Sequence, residues 1–429
     1  MQIIIVGAGI GGLSAALSLS LAGHQITILE SASALAEIGA GVQLTPNATK
    51  FFWKWGLAPD ILEHAVLPRS FNIRRDKDGG LLGQVPFKDF EKRYGGPYIV
   101  VHRADIHRIL HSHAVRAGAR LRLKSKVVKY DFEAGSVILG DGEEIHADLV
   151  VAVDGINSFA RKSFLSEIGD GVEKTGWAAY RTMAPVNQVK ENPDTAHIVA
   201  EHSCNCWVGD SKVVMTYMIK NSQMLNIVLS HPDDVDTSEW GIEKYQTEVQ
   251  RLYGGWDPSL SALLSMTSPE IQNWPVYQVR PLPKWTSQSG KFVLMGDAAH
   301  AMAFYLSMGV SMAVEDAEAL TECISLREKT TASLEQAMSI FEKVRKSRAE
   351  AVRDASLHAG NILQLPKGPE QEARDCALKD DGASAGTVDG DDFYVTRTSY
   401  GIADERIRDW CYGYDVESRV HDEWDLLSK

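Results

Sequence analysis

Cysteine is scarce in this chain. The five (Cys204, Cys206, Cys323, Cys376 and Cys411) are odd in number and scattered over 429 residues, which excludes a disulfide framework and a thiolate metal site. The spacing fits a reducing, cytoplasmic compartment, and no metal is expected. Cys204 and Cys206 form the one close pair; alternate residues of a strand share a face, so both thiols are expected to be buried by packing. Long apolar runs are missing too. No uncharged stretch reaches the roughly 18 to 20 residues that span a bilayer, so no membrane span is expected. The apolar start, Ile3 to Leu21, has no basic flank and is interrupted by glycines, unlike a signal peptide. Basic clusters are absent as well: 44 basic against 57 acidic side chains leave a net charge of -13, which repels phosphate backbones and excludes nucleic acid as a partner. There is no internal repeat. What remains is a globular composition, 44% hydrophobic and 24% charged, long enough for two domains or for one interrupted by another.

Along the chain, the β-branched run Gln2 to Val6, a glycine turn, the alanine- and leucine-rich segment Leu13 to Ala22 and the apolar Gln25 to Leu29 make a βαβ unit. Leu121 to Tyr130, Ser136 to Leu139, Leu149 to Val153, Gly176 to Pro185, Lys212 to Ile219 and Asn226 to Ser230 read as strands. Arg103 to Ala117 and Ser238 to Tyr253 read as helices, the first stopping at Gly118. After the strand Lys291 to Met295 the chain turns helical through Ser311 to Leu326 and Ser333 to His358. Leu365 to Asp392, rich in Gly, Asp, Pro and Ala, reads as a mobile acidic loop before a last amphipathic helix, Ile402 to Trp410. The fold class expected is α/β: a Rossmann-like dinucleotide-binding domain interrupted by a mainly antiparallel β-sheet substrate domain, with C-terminal helices. The cofactor domain would comprise residues 1–70, 101–175 and 286–360. The sheet domain would comprise 71–100 and 176–285, with the acidic loop and closing helix in 361–429.

The chemistry begins at Gly7-Ala8-Gly9-Ile10-Gly11-Gly12, between the first strand and helix. Gly7 permits the tight turn, Gly9 lets backbone approach a pyrophosphate, and Gly12 allows helix and strand to pack closely. The helix N-terminus then faces the phosphates with its positive dipole end. Glu30 closes the second strand, where its carboxylate would accept from ribose hydroxyls and would oppose a 2′-phosphate. Downstream, Asp154-Gly155 and Gly296-Asp297 each end a strand with a carboxylate and a glycine. The first can cap the segment that follows it, with Ser158 and Arg161 available beyond. Asp297 sits where a strand passes into a helix able to stabilise negative charge.

Four segments resemble the FAD-dependent aromatic-ring monooxygenases, in particular the fungal salicylate-hydroxylase-like branch: Gly41 to Asn47, His102 to Ile106, Ala147 to Arg161 and Val293 to His300. The resemblance runs over nearly the whole chain, including Trp177 to Arg181, Val214 to Tyr217 and the closing Ala403 to Asp415. It implies noncovalent FAD, held by Gly7, Gly9, Gly12, Glu30, Gly41, Val42, Gln43, Arg103, Val128, Asp154, Gly296, Asp297, Gly309 and Val310. It gives Asp297 the ribityl chain and His300 a structural place. The arginine and tyrosine of its active-site pair fall on Arg181 and Tyr217. An arginine on an apolar strand is costly to bury without an anion or polar partner, so Arg181 could hold a phenolate, a carboxylate or developing charge; Tyr217 could orient a substrate oxygen.

The activity implied is that NADH or NADPH reduces FAD, O2 is captured as a flavin C4a-hydroperoxide, and an electron-rich aromatic or indole-type small molecule is hydroxylated, dearomatised or epoxidised. Two alternatives stay open: a flavin dehydrogenase or reductase on the same fold, and a catalytically silent flavin-binding protein. One departure supports the second. Where the family reads proline and glutamine before the last glycine, the chain Ala303 to Val310 carries Phe304 and Met308, which predicts a larger apolar surface beside the flavin loop.

Overall fold

Residues 1–35, 40–237, 239–268, 270–379 and 401–427 are described by a computed structural model. The first strand, Gln2–Val6, is apolar at nearly every position because both its faces are covered. It lies at the centre of a five-stranded parallel sheet in the order Phe292–Leu294, Leu149–Ala152, Gln2–Val6, Gln25–Leu29, Arg120–Arg122. Helix Ile10–Leu21 is buried along most of its length, wedged between the helices Arg103–Arg116 and Gly309–Glu328. Small residues (Ala15, Ala16, Gly12) make that close approach possible. The chain leaves the central strand for Gln25–Leu29 on one side and returns to Leu149–Ala152 on the other. The crevice at the carboxyl ends of these strands is where such sheets bind ligands.

The second layer is a seven-stranded sheet in the order Gln272–Val279, Val172–Pro185, Met224–Pro232, Lys212–Ile219, Ser203–Gly209, Ser70–Arg75, Leu81–Pro86. All its neighbours are antiparallel except Ser203–Gly209 beside Ser70–Arg75. Between the two sheets runs a ribbon of Gly41–Leu44 and Ile99–His102. This is the expected α/β architecture, with a Rossmann-like sheet interrupted by a mainly antiparallel one and helices at the C-terminal side. Cys204 and Cys206 are fully buried in strand Ser203–Gly209, as their spacing predicts. Among the described residues no helix is long and apolar enough to cross a membrane.

Four local expectations need correction. The run Leu121 to Tyr130 is two strands: Arg120–Arg122 edges the parallel sheet, Lys124 takes a left-handed φ of 54°, and Val127–Asp131 enters a separate three-stranded meander. The acidic stretch is helical over Pro369–Lys379. There the buried Arg374 donates to the carbonyls of Ile362 and Leu363, and Leu378 packs into the core; that anchoring outweighs the polar composition. The rest of the expected loop, 380–392, lies outside the described residues. The closing helix starts at Glu405, capped by Asp404, and a further helix, Val416–Leu427, buries Val416, Val420 and Trp424. The helix expected from Ser238 begins at Ile242; Ser238 itself lies outside the described residues.

Candidate cofactor and substrate site

The glycine motif is dictated by sterics. Gly7 has φ +106°, and a Cβ there would sit 2.4 Å from the Val153 carbonyl oxygen. A Cβ on Gly12 would lie 2.0 Å from the Gly7 carbonyl oxygen, so strand end and helix start can touch only as glycines. Gly9 is different: nothing lies within 4 Å of a Cβ there. That open surface, next to a helix whose first turn has no side-chain cap, leaves backbone N–H groups for a phosphate.

The other motifs converge on the same edge. Gly7 abuts Asp154, and Gly11 and Gly296 both face Val153 and Ala313, so three strand ends meet the start of helix Gly309–Glu328. Asp154 accepts from the Ala160 N–H at 3.0 Å with Oδ2, while its Oδ1 is buried with no partner. An orphaned buried carboxylate oxygen and the open glycines Gly9, Gly155 and Gly309 fit a large polar cofactor. Asp297 is exposed at the head of its short helix, and Val310 is partly exposed beside Gly309. Arg161 is corrected by the structure. It is fully buried and donates to the carbonyls of Asp170, Ala298 and Ile156, which makes it a tie between loops. Ser158 caps the helix Phe159–Phe164.

Glu30 turns back onto the loop, accepting from Ala8 N–H at 2.9 Å and Ala32 N–H at 2.8 Å. Val128 is exposed on the three-stranded meander, and the segment leading into it is tied to the Glu30 loop by three backbone bonds: Glu30 N–H to the Arg122 carbonyl, Lys124 N–H to the Ala32 carbonyl and Ser125 N–H to the Glu30 carbonyl. Beneath the crevice lies a buried charge network. Arg345 pairs with Glu315 at 2.7 Å and Asp316 at 2.8 Å, His300 with Asp316 at 2.6 Å, and Asn47 donates to Glu315 at 2.6 Å. Burial alone would raise the Asp316 carboxyl, but His300 and Arg345 hold it down at about 2. His300 is buried in this network, its Nε2 committed to Asp316.

Arg181 and Tyr217, the pair expected at a substrate site, lie on one sheet face. Arg181 pairs across strands with Val228, which pairs with Met215; Tyr217, two residues on, pairs with Asn226. Arg181 is half-buried, its Nε buried with no hydrogen-bond partner, its guanidinium 5.9 Å from the Phe304 ring centre. Burial lowers its pKa, the Tyr217 phenol opposes that and Arg103 adds to it, so Arg103 and Arg181 share one electrostatic environment. Burial pushes the Tyr217 phenol far above its usual range, against the pull of Arg181, which keeps it a neutral donor.

Tyr217 donates to the Gly41 carbonyl at 2.9 Å, and the Gly41 N–H donates to Asn226 at 3.0 Å. A Cβ on Gly41 would strike the Tyr217 ring at 2.4 Å. Gln43 accepts from Tyr98 and reaches Tyr217 in turn, while Val42 pairs with Val101 in the ribbon. Asn226 and Tyr98 were not singled out from sequence; a lone asparagine in the apolar run Met224 to Val228 was the available signal. Of the two departures, Met308 is fully buried, its sulfur 3.6 Å from Thr45 Oγ1, and adds nothing to the exposed surface. Phe304 is partly exposed and faces Arg181, tilted against Tyr305, whose hydroxyl is held by Ser230 and Gln364.

Residues 1–356 match the family described as FAD binding domain. A FAD-dependent monooxygenase, atnJ, of Arthrinium sp is 34% identical over 403 residues, 93% of each chain. The 6-hydroxynicotinate 3-monooxygenase of Pseudomonas fluorescens is 30% identical, covering 86% of this chain and 93% of its own. The crystal structure of FqzB superposes with a TM-score of 0.79 at 25% identity, covering 100% of this chain and 93% of that one.

Proposed function

The chain belongs to the family of FAD-dependent, aromatic-hydroxylase-type monooxygenases, and we propose that it uses NADH or NADPH and O2 to oxygenate an electron-rich aromatic bearing an acidic oxygen. The observation that carries this reading is Arg181: a guanidinium on an apolar sheet face, its Nε buried and unpaired, beside a tyrosine held neutral. Such a group is costly in place unless an anion completes it.

FAD, when bound, supplies the acceptance of reducing equivalents and the activation of dioxygen. The chain's own residues do the rest. Glu30 takes the ribose hydroxyls, the N–H groups after Gly9 take the pyrophosphate, and Asp297 takes the ribityl hydroxyls. Asp154, Arg103, Val128, Gly296, the Gly41-Val42-Gln43 strand and the Gly309-Val310 peptides complete the cradle. Arg181 holds the substrate oxyanion by a charge-assisted, forked contact. Tyr217 keeps the flavin-side strand and the substrate sheet in register by donating its one O–H to Gly41, which leaves its oxygen to accept from a substrate hydroxyl, and the apolar face formed by Val228 and Met215 keeps water away from the reacting carbon.

The test is a turnover screen of phenolic acids, resorcylic aldehydes and prenylated indoles with NADH or NADPH. Acidic phenols are expected to accelerate NAD(P)H oxidation and oxygen uptake, with a product heavier by one oxygen atom. If neutral indoles are oxygenated and acidic phenols are not, the Arg181 reading fails. NAD(P)H or substrate oxidation without oxygen uptake would make the protein a dehydrogenase.

A further inference from the structure

His107 lies one turn after Arg103 on the helix Arg103–Arg116, so the two share a helix face. It is 5% exposed, and its Nε2 is 2.7 Å from the carbonyl oxygen of Ala8, in the middle of the glycine loop. A carbonyl can only accept, so Nε2 carries the proton and donates. Ala8 is thereby gripped at both of its peptide groups: its N–H by Glu30 at 2.9 Å and its C=O by His107. In a trans peptide the N–H points opposite to the C=O. Fixing the Ala8 carbonyl therefore fixes the direction of the Gly9 N–H, at the one loop position where the surface is open.

We propose that His107 is a positioning residue for the cofactor, aiming the Gly9 N–H at the pyrophosphate; this rests on the reading of the Gly7 to Gly12 turn as the FAD cradle. A loop with glycine on both sides of Ala8 has little stiffness of its own. Glu30 cannot hold it alone, because the ribose competes for the same carboxylate. His107 is the anchor that no part of the cofactor competes for, and through its helix the orientation of the pyrophosphate loop is tied to Arg103.

The experiment titrates FAD into the apoprotein, prepared by acid or heat release of flavin and refolding, and follows quenching of flavin fluorescence. His107→Leu removes the donor at nearly equal volume and is expected to weaken FAD roughly 10- to 100-fold, as for a buried acceptor left unpaired. His107→Gln, which can still donate, is expected to bind within about threefold of wild type, since the hydrogen bond is kept. The His107→Gln apoprotein should keep the wild-type thermal midpoint, whereas His107→Leu, with the Ala8 carbonyl unpaired, should melt roughly a few degrees lower, so affinities are compared at a temperature where all three are folded. Wild-type affinity in His107→Leu overturns the proposal, as does a His107→Gln variant as weak as His107→Leu. If the leucine variant cannot be purified, the glutamine variant decides: near-wild-type affinity supports the proposal and a tenfold loss overturns it. Glu30→Ala runs alongside. If it too keeps full affinity, the cradle itself is misassigned; if it weakens binding while His107→Leu does not, only the role of His107 fails.

Discussion

The glycine crevice and the substrate sheet solve opposite problems. At the crevice the chain presents backbone: Gly7, Gly9 and Gly12 clear side chains away, and carboxylates from strand ends surround the clearing. On the sheet it presents side chains, Arg181 and Tyr217, on strands whose backbone groups are committed to the ladder. A backbone site tolerates almost no added atom and little change of sequence. A side-chain site can be remade by changing one residue. The crevice should therefore fail through sterics, with loss of cofactor, and the sheet through chemistry, with cofactor retained.

The largest expected break of that contrast is Gly12→Val. A Cβ 2.0 Å from the Gly7 carbonyl oxygen forces helix and strand apart, at the upper end of single-residue effects, about 4 kcal/mol or more. Bound FAD per protein should fall accordingly, about 1000-fold in affinity. A Gly12→Val protein that remains yellow after desalting would show that the turn does not carry the cofactor.

Arg181→Ala should do the reverse. Product formed per unit time should drop roughly 30- to 1000-fold, the effect of removing a charge-assisted contact worth about 2 to 4 kcal/mol in the transition state. The flavin-to-protein ratio should not move, and NAD(P)H oxidation should continue with hydrogen peroxide in place of product. Near-wild-type product, or loss of FAD, would make Arg181 a structural residue and erase the distinction between the regions.

How much was legible follows from the same contrast. The crevice was readable because a clash of 2.0 to 2.4 Å with backbone admits glycine alone, at a fixed spacing. Arg181 and Tyr217 were found through resemblance; an arginine on a strand carries little signal by itself. His107 and Asn226 were missed because what they hold is backbone, the Ala8 carbonyl and the Gly41 N–H, and backbone partners leave no complementary residue in the sequence. The break at Lys124 was invisible for another reason: lysine gives no sign of a left-handed φ. The helix Pro369–Lys379 forms because Arg374 meets carbonyls at the end of another helix, a tertiary contact that composition does not encode.

The crevice also rests on buried charge, and pH should expose this. Asp316 is held at about 2 against an ordinary 3.8. A depressed carboxyl contributes stability that is present above its unfolded value and lost as pH falls through its folded one. The difference in unfolding free energy between wild type and Asp316→Asn should therefore shrink by about 2 kcal/mol between pH 4 and pH 2. Denaturant melts of the apoprotein at fixed ionic strength measure it. A difference that stays constant across that window would mean the carboxyl is not held down by His300 and Arg345.

The smallest effect, and the sharpest on where the two regions meet, belongs to Phe304, which sits in the loop leading into helix Gly309–Glu328 but faces Arg181 on the sheet. If the residue serves the crevice, its replacement should disturb FAD; if it serves the sheet, it should disturb only the substrate. The geometry favours the sheet. The ring lies 5.9 Å below the guanidinium and 4.6 Å from Tyr305, which two hydrogen bonds hold in place. A cation over an aromatic face at a partly exposed site contributes roughly 0.5 to 1 kcal/mol. Phe304→Leu keeps the apolar bulk and removes the ring's electrostatic attraction for Arg181. The guanidinium should then be less well held, and KM for an acidic aromatic should rise about two- to fivefold with kcat little changed. FAD affinity should equal that of wild type. A fall in FAD affinity with unchanged KM would move Phe304 to the cofactor side, and a change in neither would leave the arginine oriented by its strand alone.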